Sequence, residues 1–88
     1  MGIEVSRKDF KRVVEPDECD GDGYVGVFAR VTITIPHGTG GILHVVESPG
    51  LWSIEDDSGE TYFSEVFDEE CATLMEMLGA LGVKVSDG

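Results

Sequence analysis

From Tyr24 to Ile35 the chain alternates without a break: Val25, Val27, Ala29, Val31, Ile33 and Ile35 take every second position, with Tyr24, Gly26, Phe28, Arg30, Thr32 and Thr34 between them. A period of two sustained this long demands a β-strand and assigns the first set to a buried face. Any fold open to the chain is therefore built around this strand. Pro36 stops it, and the run Pro36-His37-Gly38-Thr39-Gly40-Gly41 supplies a turn. A second strand over Ile42–Glu47, a tight turn at Ser48-Pro49-Gly50 and a short strand over Leu51–Glu55 complete an antiparallel meander.

The period then changes. From about Thr61 to Leu81, Phe63, Val66, Phe67, Cys71, Leu74, Met77, Leu78 and Leu81 fall on one arc of a helix. Gly82 stands where a helix-terminating glycine belongs, and Val83 and Val85 are read as a brief edge strand or as packing beneath the sheet. Ile3–Val14 fits two patterns. Ser6 with Asp9 suggests a capping box before a short helix, while the same stretch also pairs as a strand. Glu15–Gly23 is a loop by composition. The expected fold is α+β: one antiparallel sheet of three or four strands packed on a single C-terminal amphipathic helix, with a short N-terminal helix left open.

At 88 residues the chain, 1–88, is read as a single domain, with Trp, Tyr and Phe and 41% hydrophobic residues arguing for a folded core. No apolar run is long enough to cross a bilayer, and Glu4, Arg7 and Lys8 stand where a signal peptide needs apolar residues, so the expected location is cytoplasmic. Cys19 and Cys71 read as a loop thiol and a reduced core thiol.

Charge is strongly segregated. The net charge is −12, and between Val31 and Val83 there are ten carboxylates and no Lys or Arg: Glu47, Glu55, Asp56, Asp57, Glu60, Glu65, Asp68, Glu69, Glu70 and Glu76. Arg7, Lys8, Lys11 and Arg12 cluster near the N-terminus, which implies that charge is not laced into internal pairs. Such a surface repels nucleic acid and attracts basic protein surfaces. On the helix, Glu65, Asp68, Glu69 and Glu76 lie opposite the apolar arc, whereas Glu55, Asp56, Asp57 and Glu60 lie near the helix N-terminus, where the macrodipole favours them. The stripe from Glu65 to Glu76 spans about 16 Å of helix, along which duplex DNA would present about ten phosphates. Imitation of a duplex therefore needs the loop acids as well. A solubility surface and adaptation to high salt are the competing readings of the same acids. Glu70 falls inside the apolar arc and needs a partner, of which Arg30, His44 or a backbone amide are the available kinds.

Chemical motifs are weak. Glu18-Cys19-Asp20-Gly21-Asp22-Gly23-Tyr24-Val25 resembles part of a calcium loop, yet Glu18 takes the first ligand position and Ala29 the twelfth, and a strand follows where a helix is required. No metal or cofactor is expected. His37 and His44 have no partnered nucleophile and the glycine-rich turn lacks a phosphate-binding lysine, so no enzyme is expected. Trp52 reads first as a core residue and otherwise, with Leu51, as an apolar anchor rimmed by charge.

Residues 31–83, with a strand ending in Ile35-Pro36, a glycine turn, Gly50-Leu51-Trp52, Ile54-Glu55, Asp57-Ser58 and an acidic helix, resemble a group of small uncharacterised proteins encoded by bacteriophages and prophages. Members of that group usually carry Gly where this chain has Ser53. The resemblance brings no activity but implies a phage-like setting, in which small acidic proteins occupy basic surfaces of host machinery or defence systems. The expected function is binding of a basic surface on a host protein, with inhibition of a nucleic-acid-binding or defence protein by charge mimicry as its sharpest form. The contact is expected through Glu55, Asp56, Asp57, Glu60, Glu65, Asp68, Glu69, Glu76, Trp52 and Leu51, with no direct nucleic acid and no membrane partner. The alternative is an assembly module that forms a homo-oligomer through a strand edge, its acids serving solubility.

Overall fold

The computed structural model describes residues 3–17 and 23–86. In chain order these form β1 (Ile3–Ser6), a single 3-10 turn (Arg7–Asp9), β2 (Lys11–Pro16), β3 (Tyr24–His37), β4 (Gly40–Glu47), β5 (Leu51–Glu55), α1 (Glu60–Ala80) and β6 (Val83–Ser86). The architecture is α+β, with one antiparallel sheet and one C-terminal helix. Glu18 to Asp22 of the partial calcium loop, with Cys19, Asp20 and Asp22, lie outside the described residues.

β3 is the spine, and both of its edges are used. β2 pairs antiparallel with it from Lys11↔Arg30 to Pro16↔Val25. β4 pairs with the distal half, Arg30↔Glu47 to His37↔Gly40, and β5 with the proximal end, Tyr24↔Glu55 to Val27↔Leu51. Because Arg30 is shared by β2 and β4, and Val25 and Val27 by β2 and β5, β4 and β5 lie along the same edge, opposite β2. The expected meander is thus corrected: β5 continues the direction of β4 instead of turning back against it. Ser48-Pro49-Gly50 is a jog. The Ser48 N–H donates to the Ala29 carbonyl and the Ser48 hydroxyl accepts from the Ala29 N–H, each at 2.9 Å, so one residue holds both ladder bonds where the strand breaks. Pro49 has no N–H to continue the ladder, and Gly50 at φ 87° takes the left-handed conformation that lets the chain resume out of register.

The inner face of β3 behaves as its alternation requires. Val27, Ala29, Val31 and Ile33 are buried, facing Val66, Cys71, Leu74 and Leu78 of α1, and Val5, Phe10, Val46 and Val83 close the core. Leu81, expected on the apolar arc, is 63% exposed because it caps the helix beyond its last turn. Gly82 at φ 84° then ends the helix as expected, and β6 returns to pair in parallel with β1, from Ile3↔Val83 to Ser6↔Ser86.

At the N-terminus both sequence patterns occur in part. Ser6 and Asp9 do form a capping box, but around one 3-10 turn only. Phe10 then goes to the core, and Val13 and Val14 alternate across the two faces of β2 as a strand requires. The molecule is elongated, 46 × 24 × 18 Å. Its long dimension matches the span of β3, whose 14 residues rise about 3.3 Å each. Toward its tip the β3–β4 hairpin leaves the core, to which Ile33, Val46 and the half-buried Ile35 are its last contributions, while Ile42, Leu43 and Val45 are all exposed.

Candidate functional site

Trp52 is not a core residue. It lies on the sheet face away from α1, 41% exposed, with its ring laid over Gly26: a Cβ at Gly26 would come within 2.1 Å of Trp52 Cε3. Phe28, on the same face, stacks against it at 6.2 Å between centroids and 27° between planes, and the indole N–H donates to the Pro49 carbonyl at 2.9 Å. The opening that admits this ring is a bulge. Trp52 and Ser53 together oppose Gly26, which turns Ile54 inward against Val27 and Val66 and Trp52 outward. Ser53 carries the cost as a non-glycine residue at φ 63°, a conformation disfavoured by about 1–2 kcal/mol. Its N–H donates to the carboxylate of Asp17, 6% exposed, at 2.9 Å.

Trp52 borders an open cleft of about 450 Å³ shared with Leu51, Ser53, Ile54, Glu55, Ser58 and Tyr62. The strand supplies one wall and the first turn of α1 the other. At 100° per residue, Tyr62, Glu65, Glu69 and Glu76 fall within about 60° of one another on the helix, so the cleft opens onto the acidic stripe. Tyr62 is 41% exposed. Its participation was readable from its three-residue spacing to Glu65, and the outward Trp52 from a glycine in mid-strand at Gly26, which signals close approach of another group.

The ten residues expected at the binding surface are not used alike. Leu51, Trp52 and Glu55 line the cleft, and Asp56 and Asp57 follow in the connecting loop, all exposed. Glu65, Glu69 and Glu76 are exposed on α1 and form no ion pair among the described residues. Glu60 and Asp68, in contrast, turn to the opposite flank and meet the N-terminal basic segment. Arg12 grips Glu60 through both terminal guanidinium nitrogens, the longer contact being 3.1 Å, and Arg7 lies 3.6 Å from Asp68. Arg30 pairs with Glu47 at 2.6 Å and lies 3.9 Å from Glu15. The reading that charge is not laced into internal pairs is therefore corrected: Arg7, Arg12 and Arg30 all have acidic partners. The bond from Arg12 holds the Glu60 carboxyl below its ordinary value and raises that of the guanidinium.

Glu70 has the backbone partner its position calls for. Its Oε1 accepts from the Gly50 N–H at 2.7 Å, tying α1 to the jog between β4 and β5. Cys71 is a free thiol at the centre of the core, and burial raises its pKa, so it stays protonated and unreactive. His37 and His44 are exposed on the distal hairpin, away from the cleft. Among the described residues no group of three or more His, Cys, Asp or Glu is placed to hold a metal ion, and no helix is long and apolar enough to cross a membrane.

The surface thus presents an aromatic cleft, with Leu51, Trp52, Ile54 and Tyr62 beside the polar Ser53, Ser58 and Glu55, and a row of exposed carboxylates on the adjoining helix. No family model, no curated protein and no solved structure matches this chain.

Proposed function

We propose that this protein is a non-enzymatic accessory protein of phage type, acting in the host cytoplasm, that binds a basic surface of a host protein. Where that surface serves nucleic acid or belongs to a defence system, its occupation is inhibitory. What carries the reading is that Tyr62, which lines the cleft with Leu51 and Trp52, shares one arc of α1 with Glu65, Glu69 and Glu76, carboxylates that form no ion pair among the described residues. Aromatic anchors surrounded by charge are the usual anatomy of a binding hot spot, and the charges guide association with an oppositely charged partner. Like-charge neighbours such as Glu65 and Glu69 oppose helix formation by a few tenths of a kcal/mol, so the stripe is not there for the helix. The carboxylates are sparser than the phosphates of a duplex, which makes this charge complementarity to a basic site, with only partial imitation of nucleic acid.

Affinity capture from host lysate at low and high salt, with the bound proteins identified by mass spectrometry, tests the reading. A nucleic-acid-binding or other basic protein is expected at low salt only. Reversal of the unpaired acids, Glu65→Lys with Glu69→Lys and Glu76→Lys, should weaken that association about 100-fold or more. Undiminished binding of the same partner by the triple variant at low salt removes the acidic face from the account.

A further inference from the structure

We infer that β4 is the interface of a two-fold homodimer, in which two copies join their β4 strands edge to edge, antiparallel and centred on Leu43. The register shows which atoms are available. Ser48 N–H bonds to Ala29 O, and in an antiparallel ladder bonding residues alternate, so Val46, His44, Ile42 and Gly40 turn their polar backbone groups toward β3. Gly41, Leu43 and Val45 turn theirs outward, and among the described residues no further strand pairs with β4 on this side of the distal hairpin. Edge strands of this length are usually blunted by Lys, Pro, a bulge or a covering element. Gly40–Val46 contains no charged residue and no proline, pairs regularly with β3, and carries Leu43 at 72% exposure, the most exposed large apolar side chain among the described residues.

Charge selects the occupant. A chain of net charge −12 repels its own copies, yet Val31–Val46 holds no Asp, Glu, Lys or Arg. This uncharged arm is where a second copy can approach closely, and it offers nothing to a basic partner. In the register centred on Leu43, Gly41 faces the second copy's Val45 and Leu43 faces Leu43, so every outward N–H and C=O in the overlap meets one of the other copy. Glu47 falls opposite Thr39, clear of the second Glu47, and repulsion beyond the overlap is screened over about 8 Å at physiological ionic strength.

The interface is independent of the acidic face, and sedimentation velocity separates the two. The wild-type chain at about 50 μM should sediment as a dimer at low and at high salt, because screening removes repulsion without touching apolar and backbone contacts. Leu43→Lys sets two like charges directly opposite each other and should raise the dimer dissociation constant at least about 100-fold. Leu43 is exposed, so the fold should survive, as circular dichroism would show, and host capture should persist. The charge-reversed variant Glu65→Lys, Glu69→Lys, Glu76→Lys should lose host capture and remain dimeric. A monomeric wild type at both salts, or a Leu43→Lys variant that dimerises as tightly as the wild type, overturns the inference.

Discussion

Trp52 depends on a residue that has no side chain. Its ring occupies the space over Gly26, at a distance no Cβ would tolerate. Gly26→Ala should therefore lift the indole from the sheet and destabilise the fold by about 1–3 kcal/mol. Because Trp52 is the only tryptophan, its emission reports the change directly, with a shift to the red expected as the ring becomes more exposed; unchanged emission and stability would contradict the packing. Ser53 is the second residue on which this site turns. Its left-handed φ is one that glycine would adopt without strain, and Asp17 holds the strained amide in place. The exposed Trp52 was hard to read in advance because a large aromatic residue in an alternating segment belongs by default to the core. Only the bulge, which moves Trp52 and Ser53 together opposite Gly26, reverses that expectation.

Among the elements, β3 and α1 were legible because their periods, two and near 3.6, persist long enough to exclude alternatives. The partnership of β5 was not. Ser-Pro-Gly marks a break in a strand equally well whether the chain reverses or sidesteps, and here β3 is long enough to pair with both pieces. Nor could local spacing show that Arg12 would reach Glu60, 48 positions away, and clamp β2 to the first turn of α1. That clamp has a defined pH dependence. Glu60 is depressed in the folded chain, so its contribution is complete above the unfolded carboxyl value, near 4.5, and is lost as pH falls through the lower folded value. Urea unfolding of the wild type and of Glu60→Gln from about pH 6 to about pH 3 should give midpoints that converge toward acid. Parallel curves would mean that the pair, exposed as it is, contributes nothing.

For the whole molecule, the arrangement of charge matters more than its amount. Three arginines pin acidic partners across element boundaries, while α1 keeps a face of unpaired carboxylates and the distal hairpin carries none. The remaining self-repulsion should make Tm rise by a few degrees between about 20 mM and about 500 mM NaCl, by screening alone. A Tm that falls over that range would place the ion pairs above the repulsion. The outermost strands add a constraint of another kind. Among the described residues β1 pairs only with β6, 80 positions later, so during synthesis this strand stays solvated and unpaired until Val83–Ser86 is free to meet it. The core beneath it, with Val5 and Val83 both buried, therefore closes through a contact of very large sequence separation and not progressively along the chain, which makes the meeting of β1 with β6 a late, slow step of folding.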